Sequence, residues 1–191
     1  MPAKAVQPQL IRPSRAWPLF DTAATRRLER AALAHCADHV LVQRAGLASA
    51  RLALAMAPHA RTIWIAAGPG NNGGDGMQAA LHLHRWGKQV LVGWLGSPES
   101  APADAGAAYR RARDAGVSFA DTPPAQWDLC IDALLGIGAA RPPDGMMALW
   151  IARMQDARAR RSCRSTCPPA CRPTPASLRR VVCVPAPPCA C

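Results

Sequence analysis

The chain has 191 residues, half of them hydrophobic, and a formal net charge of +11 at pH 7. This length and composition predict a single globular domain with a real core, and they exclude disorder of the whole chain. No apolar run approaches the roughly 20 residues that a membrane helix needs, and residues 1–17 lack the apolar core of a signal peptide. We therefore expect a cytoplasmic protein that makes no membrane contact.

The positive charge and the cysteines are concentrated at one end of the sequence. Residues 161–191 hold five arginines and six of the eight cysteines, so the first 160 residues carry a charge of only +6. That value favours an arginine-rich solvated surface over a nucleic-acid-binding one. Cys36 and Cys130 lie in apolar patterns and are predicted to be reduced core residues.

The predicted elements begin after a proline-containing arm at residues 1–18, which we expect to be loosely ordered. Asp21 or Thr22 caps a first helix, and apolar residues recur at helical spacing as far as Val40. A second helix is predicted over residues 43–56. After it, predicted strands and helices alternate: strand 62–67, helix 76–86, strand 89–96, helix 104–115, strand 117–120, strand 128–135 and helix 146–160.

This alternation predicts the α/β class over residues 19–160, as a Rossmann-like, three-layer fold with a parallel sheet and helices on both faces. Residues 161–191 show no periodicity of the strand that should come next, so we expect a sheet that is incomplete at the C-terminus and a non-native tail without order. Ligands of such folds bind at the carboxyl ends of the strands.

The most informative segment is AAGPGNNGGDGMQAA, residues 66–80, between a predicted strand and a predicted helix. Gly68 and Gly70 permit a tight turn, while Gly73 and Gly74 allow a ligand to approach bare backbone amides. Asp75 can cap the helix or accept hydrogen bonds from a ribose or an amide. The segment lacks the Lys-Ser/Thr of a Walker loop and departs from the G-x-G-x-x-G pattern of dinucleotide-binding domains.

The string GPGNNGGDG resembles the hallmark of the NAD(P)HX epimerase family, also known by the YjeF N-terminal domain. Two further segments are similar to that family: QRAGLASA at residues 43–50, and CIDALLGIGAARP at residues 130–142. The three segments occur in the order and spacing of the family domain.

The resemblance implies a set of site residues. Substrate would contact Asn71, Asn72, Gly73, Gly74, Asp75, Gly136, Ile137, Gly138, Ala139, Ala140, Arg141 and Pro142. Asn72 and Asp132 would hold a potassium ion through hard oxygen ligands. Asp132 is alternatively a loop cap at a strand end, and Arg141 is alternatively an exposed loop residue rather than a phosphate ligand. Catalytic residues cannot be chosen, although Asp75 and Asp132 are the candidate acid or base groups.

The resemblance also implies a reaction. Family members interconvert the R and S epimers of NADHX and NADPHX, the nicotinamide dinucleotides hydrated at ring carbon 6. A partner dehydratase, dependent on ADP or ATP and missing from this sequence, then restores the S epimer to NADH or NADPH. The alternative is a non-catalytic nucleotide- or RNA-binding module of the same fold. A homodimer is a further possibility, and nucleic acid is not the expected partner.

His35 and His39 are four residues apart, a spacing that suits a metal on a helix, but the sequence offers no third ligand, so a solvated helix face is preferred. Cys163, Cys167 and Cys171 do not follow the C-x₂-C spacing of zinc sites. Read across codon boundaries, residues 160–176 can encode D-V-P-S-G-L-x-A-D-T-G, which resembles the next strand of the family. We therefore hypothesise a frameshift near residues 158–161 that truncates the domain and leaves the activity of this exact chain in question.

Overall fold

The structure is a computed structural model that describes residues 16, 20–34, 36–137, 139, 142–164 and 179–182. Its elements in chain order are α1 (Thr22–Leu33), α2 (Val40–Met56), β1 (Thr62–Ala67), α3 (Asn71–Arg85), β2 (Gln89–Trp94), α4 (Ala103–Asp114), β3 (Ser118–Phe119), β4 (Leu129–Ala133), α5 (Gly145–Arg164) and β5 (Arg179–Val182). None of the helices among these residues is long and apolar enough to span a membrane.

The strands form one parallel sheet with the order β3-β2-β1-β4-β5. Strand β1 lies at its centre, with Ala67 next to Trp94 of β2 on one side and next to Ala133 of β4 on the other. The chain runs outward from β1 in both directions, which makes the β1–β4 border the topological switch point where such sheets bind ligands. The predicted α/β class is confirmed.

Helices cover both faces of the sheet, as predicted. Because strand side chains alternate between faces, Ile63 and Ile65 of β1 pack in a large core with α2, α3 and α4, whereas Trp64 points to the opposite face. There Trp64 packs with Trp127 and with Trp150 of α5, in a second core that also contains the buried Cys130. Cys36 is only partly buried, so the prediction of a core cysteine is correct for Cys130 alone.

The first helix is shorter than predicted. Asp21 caps it by accepting a hydrogen bond from the Ala24 N–H at 2.6 Å, but α1 ends at Leu33 and buries none of its residues. The backbone of His39 is left-handed, with φ of 63° and ψ of 8°, and a new helix starts at Val40. Since right-handed helix geometry cannot pass through a left-handed residue, the apolar spacing across Cys36 and Val40 does not mark one continuous helix.

Helix α3 begins at Asn71, five positions before the predicted start. The prediction placed the start too late because the first turn consists of asparagines and glycines, which favour turns over helices. At the other end of the chain, the expectation that no strand follows the last helix is wrong. Strand β5 pairs in parallel with β4, placing Val182 next to Asp132, so β4 is not a bare sheet edge. The other residues of the 165–191 segment lie outside the described part of the chain.

Candidate active site

The loops that follow β1 and β4 touch each other at the switch point. The Gly68 N–H donates a hydrogen bond to the Ala133 carbonyl oxygen at 2.9 Å. A Cβ atom on Gly68 would lie 1.9 Å from the Leu134 carbonyl oxygen, far inside van der Waals contact. Only glycine at this position lets the two strand ends approach so closely.

Helix α3 directs its N-terminus to this border. Its N-cap is Gly70, which has no side chain to accept from the first backbone amides. The N–H groups of Asn71, Asn72 and Gly73 precede the first helical hydrogen bond, which the Gly74 N–H donates to the Gly70 carbonyl oxygen at 3.2 Å. Of these three residues, Asn71 and Asn72 line the cavity described below, where their amides, together with the helix dipole, can bind an anion such as a phosphate.

Gly73 and Gly74 are needed for packing rather than for exposing bare backbone. A Cβ atom on Gly73 would lie 2.0 Å from the Gly68 carbonyl oxygen, and one on Gly74 would lie 2.9 Å from Cα of Ala105 in α4. Both glycines are buried. They let α3 pack against the β1 loop and against α4, while neither lines the cavity described below.

Asn72 bridges the two loops and presents a buried oxygen. Its Nδ2 donates to the Leu135 carbonyl oxygen at 3.0 Å, which fixes the orientation of the amide. Its Oδ1 is buried without a hydrogen-bond partner. Because a buried polar atom without a partner costs about 1–3 kcal/mol, this oxygen is suited to a ligand or cation.

Asp132 lies near the end of β4, is 8% exposed, and caps the following turn. Its Oδ1 accepts a hydrogen bond from the Leu134 N–H at 3.1 Å. The loop-cap interpretation of Asp132 is therefore correct. Among the described residues, no group of three or more His, Cys, Asp or Glu is arranged to hold a metal ion.

A cavity of about 780 Å³ opens beside these loops. Asn71, Asn72 and Asp75 from α3 line it, together with the loop after β4. Residues of α1 and α2 and Asp104 of α4 also line it. The remaining lining residues are Arg26, Glu29, Leu33, Leu41, Val42, Arg44, Ala45, Pro69, Gly70, Leu134, Leu135, Gly136, Ile137, Ala139, Pro142, Pro143, Asp144 and Met147.

Asp75 is the titratable group most affected by this environment. Burial, which disfavours the ionised carboxylate, raises its pKa from 3.8 to about 7, with smaller contributions from the negative charges of Asp104 and Glu29. Asp75 lies inside α3 rather than before it, so it does not cap the helix as predicted. A carboxyl group that titrates near neutral pH in a cavity is a candidate general acid or base.

Seven of the predicted site residues line the cavity: Asn71, Asn72, Asp75, Gly136, Ile137, Ala139 and Pro142. Gly138, Ala140 and Arg141 lie outside the described residues, as does His35. The sequence analysis missed Arg26, Glu29 and Asp104. These residues are brought to the cavity by tertiary packing, and no local motif marks them.

His39 is the N-cap of α2 and precedes the helix, so it does not lie on a helix face. Its Nδ1 is 2.6 Å from Oδ1 of Asp104, and both side chains are about one third exposed, at 32% and 29%. This contact joins the start of α2 to the first turn of α4. The solvated-face interpretation of His39 is thus wrong, because a carboxylate from a distant segment holds its imidazole.

Several known proteins are similar to this chain in sequence. The chain is 42% identical over 121 residues to an NAD(P)H-hydrate epimerase of Bordetella pertussis. The matched segment covers 63% of this chain and 52% of that protein. An epimerase of the same name from Rhodobacter capsulatus is 36% identical over 140 residues, covering 66% of each chain. A bifunctional NAD(P)H-hydrate repair enzyme of Thermofilum pendens is 33% identical, covering 57% of this chain and 23% of that enzyme.

The fold itself is similar to a solved structure. The crystal structure of the yeast protein ynu0 matches with a TM-score of 0.59 and 18% identity, covering 71% of this chain and 63% of the yeast chain. The chain spans about half the length of the first curated relatives that it matches. The family model described as YjeF-related protein N-terminus matches residues 38–164, which is most of the chain. The chain therefore belongs to the YjeF-related N-terminal domain family.

Proposed function

We propose that this domain binds hydrated NADH or NADPH in the cavity at the β1–β4 border and interconverts its R and S epimers. The observation that carries the proposal is the combination of Asp75, a carboxyl with a pKa of about 7, with a helix N-terminus in one cavity. The printed names of the Bordetella and Rhodobacter relatives support the same activity. The cytoplasm is the expected location of such a repair enzyme.

The cavity has the size and polarity for a dinucleotide. Its volume of about 780 Å³ lies within the range of roughly 300–1,000 Å³ typical of ligand pockets. The amides at the start of α3 attract the phosphates. Arg26 of α1 and Arg44 of α2 also line the cavity and add positive charge. Apolar side chains such as Leu41 and Met147 offer contacts for a ring.

Asp75 supplies the proton transfer in this proposal. Interconversion at ring carbon 6 can proceed by cleavage of the C6–O bond, as the carboxyl donates a proton to the hydroxyl, which leaves as water while the ring nitrogen supplies electrons to C6. Water then adds to the other face of C6 and returns one proton to the carboxylate. A group with a pKa of about 7 is partly protonated and partly ionised near neutral pH, so it can do both. Asp132 is less suited, because the Leu134 N–H already holds one of its oxygens.

We further propose that a potassium ion binds between the start of α3 and the end of β4. The Oδ1 atom of Asn72 in α3 is buried without a partner, which suits a cation, and the carboxylate of Asp132 lies near the end of β4. These two residues would hold the ion, which would neutralise phosphate or carboxylate charge nearby. Asn72 itself connects the two loops, because its Nδ2 donates a hydrogen bond to the Leu135 carbonyl oxygen while its Oδ1 accepts none.

The repair reaction needs a dehydratase that consumes the S epimer. The bifunctional names of the Thermofilum and Hyperthermus relatives support a functional partner of that kind. A non-catalytic nucleotide- or RNA-binding module remains the alternative, and it would keep the cavity without needing the proton on Asp75. The oligomeric state, a homodimer in our expectation, is a separate prediction.

The test is conversion of purified R-NADHX, followed by chromatography that separates the epimers. We expect the chain to equilibrate R and S faster than the spontaneous reaction, and Asp75→Asn to lower kcat by about 10²-fold or more. His59→Gly, which removes an exposed imidazole distant in sequence from the site, is the matched control and should retain the wild-type rate. Tight binding without conversion would replace the epimerase proposal with the binding module.

A further inference from the structure

The cavity contains a second carboxylate that the proposed reaction does not use. Asp104 lies in the first turn of α4, where the helix dipole stabilises a negative charge, and it lines the cavity together with Asp75. The close contact of α3 with α4 at Gly74 and Ala105 brings the adjacent residues Asp75 and Asp104 near each other. After burial itself, the negative charge of Asp104 is the largest contribution that raises the pKa of Asp75, ahead of the charge of Glu29.

The side chain of His39, the N-cap of α2, contacts the carboxylate of Asp104. Nδ1 of His39 lies 2.6 Å from Asp104 Oδ1, across 65 positions of sequence. An ionised carboxylate only accepts hydrogen bonds, so the imidazole nitrogen donates. The contact is short and partly buried, which favours a defined orientation over a loose surface pair.

The backbone of His39 is strained in a way that this contact explains. With φ of 63°, it is the single non-glycine residue with positive φ among those the structure describes. Left-handed geometry costs a non-glycine residue about 1–2 kcal/mol. Strain of this kind persists where the surroundings hold it, and it concentrates at functional sites. Here the residue in this conformation is the one whose imidazole contacts Asp104.

We propose that His39 is a positioning residue that holds the Asp104 carboxylate on the cavity wall beside Asp75, so that Asp104 controls the proton of Asp75. The inference rests on the proposed function for its catalytic meaning, since the proton on Asp75 is the one used there. The geometry itself is independent of the substrate. His39 acts through Asp104 and has no direct contact with the reacting atoms.

Other charged groups surround Asp75 but do not replace this pair. Strands β1 and β2 contain no titratable residue. Arg51 of α2 lies near His82 of α3, and Arg111 of α4 donates a hydrogen bond to Gln78 of α3. Both of these α3 residues lie C-terminal to Asp75. The remaining charged groups from the elements around the cavity are Arg26 and Glu29 of α1, Arg44 of α2, Asp132 of β4 and Asp144 before α5.

The test follows the titration of Asp75 directly, by ¹³C NMR of labelled aspartate carboxyl carbons in the ligand-free chain, assigned with Asp75→Asn. Asp104→Asn removes the neighbouring negative charge, and we expect the Asp75 midpoint to fall by about one pH unit. His39→Gly lets Asp104 turn toward solvent and should lower the midpoint in the same direction by a smaller amount. His59→Gly is the matched control and should leave the midpoint unchanged.

Two features keep this test decisive. Glycine tolerates positive φ, so His39→Gly relieves the strained backbone and is expected to fold, which thermal unfolding checks. In the double variant His39→Gly/Asp104→Asn, the midpoint should match that of Asp104→Asn alone, because His39 acts through Asp104.

An unchanged or raised midpoint in His39→Gly would overturn the proposal, as would an additive shift in the double variant. Because these readouts need no substrate, they stay informative if the epimerase proposal fails. Conversely, lost epimerisation in Asp75→Asn with an unmoved midpoint in His39→Gly would leave the proposed function intact and remove His39 from it.

Discussion

Asp75 is a buried carboxyl group that lines the cavity, and its burial affects the stability of the fold. Its pKa is about 7 in the fold but 3.8 in an ordinary environment. Between these two pH values the folded state binds more protons than the unfolded state, so the stability contributed at this position falls as the pH rises. Above pH 7 the fold bears the full cost of the buried charge.

Replacing Asp75 by asparagine should therefore stabilise the protein in a pH-dependent way. We expect equal free energies of unfolding for Asp75→Asn and wild type below about pH 4, and a growing advantage for the variant up to pH 7. The advantage reaches at most the order of 4 kcal/mol, from about 1.4 kcal/mol per pH unit. Urea denaturation at pH 4, 6 and 8 measures it, and a variant less stable than wild type at pH 8 would contradict the buried-charge account.

Gly68 shows how much of the site could be predicted from single residues. The sequence marks it as a tight-turn glycine, and the structure gives the reason as the Leu134 oxygen at 1.9 Å from its missing Cβ. By contrast, Gly73 and Gly74 were predicted to expose amides and instead serve packing. Sequence indicates where glycine is required, but the neighbours of Gly68 and Gly74 come from the loop after β4 and from α4, which the local pattern does not show.

The glycines of the β1 loop give a matched pair of substitutions. Gly68→Ala should cost several kcal/mol, because the new Cβ would meet rigid backbone. Gly70→Ala is the control, since nothing lies within 4 Å of its Cβ and its φ of −97° suits any residue. Thermal unfolding compares them. Equal melting temperatures for the two variants would show that the loops after β1 and β4 do not touch as described.

At the scale of elements, strong periodicity predicted most helices and strands to within a few residues. The strand at Thr62–Ala67 has the predicted bounds. Two features were unpredictable in physical terms. The break after α1 depends on a left-handed His39 that a distant Asp104 supports, and the early start of α3 depends on packing that overrides the turn preference of its Asn-Asn-Gly-Gly sequence.

The contact between α3 and α4 can be tested by two alanine substitutions with opposite signs. Gly74→Ala should destabilise by about 1–3 kcal/mol, because its Cβ would lie 2.9 Å from the Ala105 backbone. Gly106→Ala, in α4 with its nearest atoms at 3.6 Å or beyond, should stabilise by about 0.5–1 kcal/mol through helix propensity. Chemical denaturation measures both. A stabilising Gly74→Ala would rule out close packing of the helices at this point.

At the scale of the whole molecule, the family match ends at residue 164. The relative from Bordetella pertussis is about twice as long as the 121-residue segment that it shares with this chain. The hypothesis of a shifted reading frame near residues 158–161 would explain why the family match does not continue beyond residue 164. Strand β5 nevertheless takes the position beside β4, so the sheet continues with a different sequence.

The frame hypothesis predicts that the coding DNA, sequenced across residues 153–176, encodes D-V-P-S-G in the adjacent frame. Restoring that frame should then raise epimerase turnover, because the family residues of the next strand would return to the site. If the adjacent frame does not encode this string, the hypothesis is wrong, and residues 161–191 are the authentic continuation of the domain.

The central claim is that the cavity at the β1–β4 border is the ligand site, and an NMR titration tests it most directly. The ¹⁵N-labelled chain is titrated with NADHX while the backbone amide resonances are followed. We predict saturable shifts at Asn71, Asn72 and Asp75 of α3 and at Gly136 and Ile137 after β4, with none in the Trp64 and Trp150 core on the opposite face. Saturable shifts confined to another surface, or no shifts at millimolar NADHX, would contradict the account.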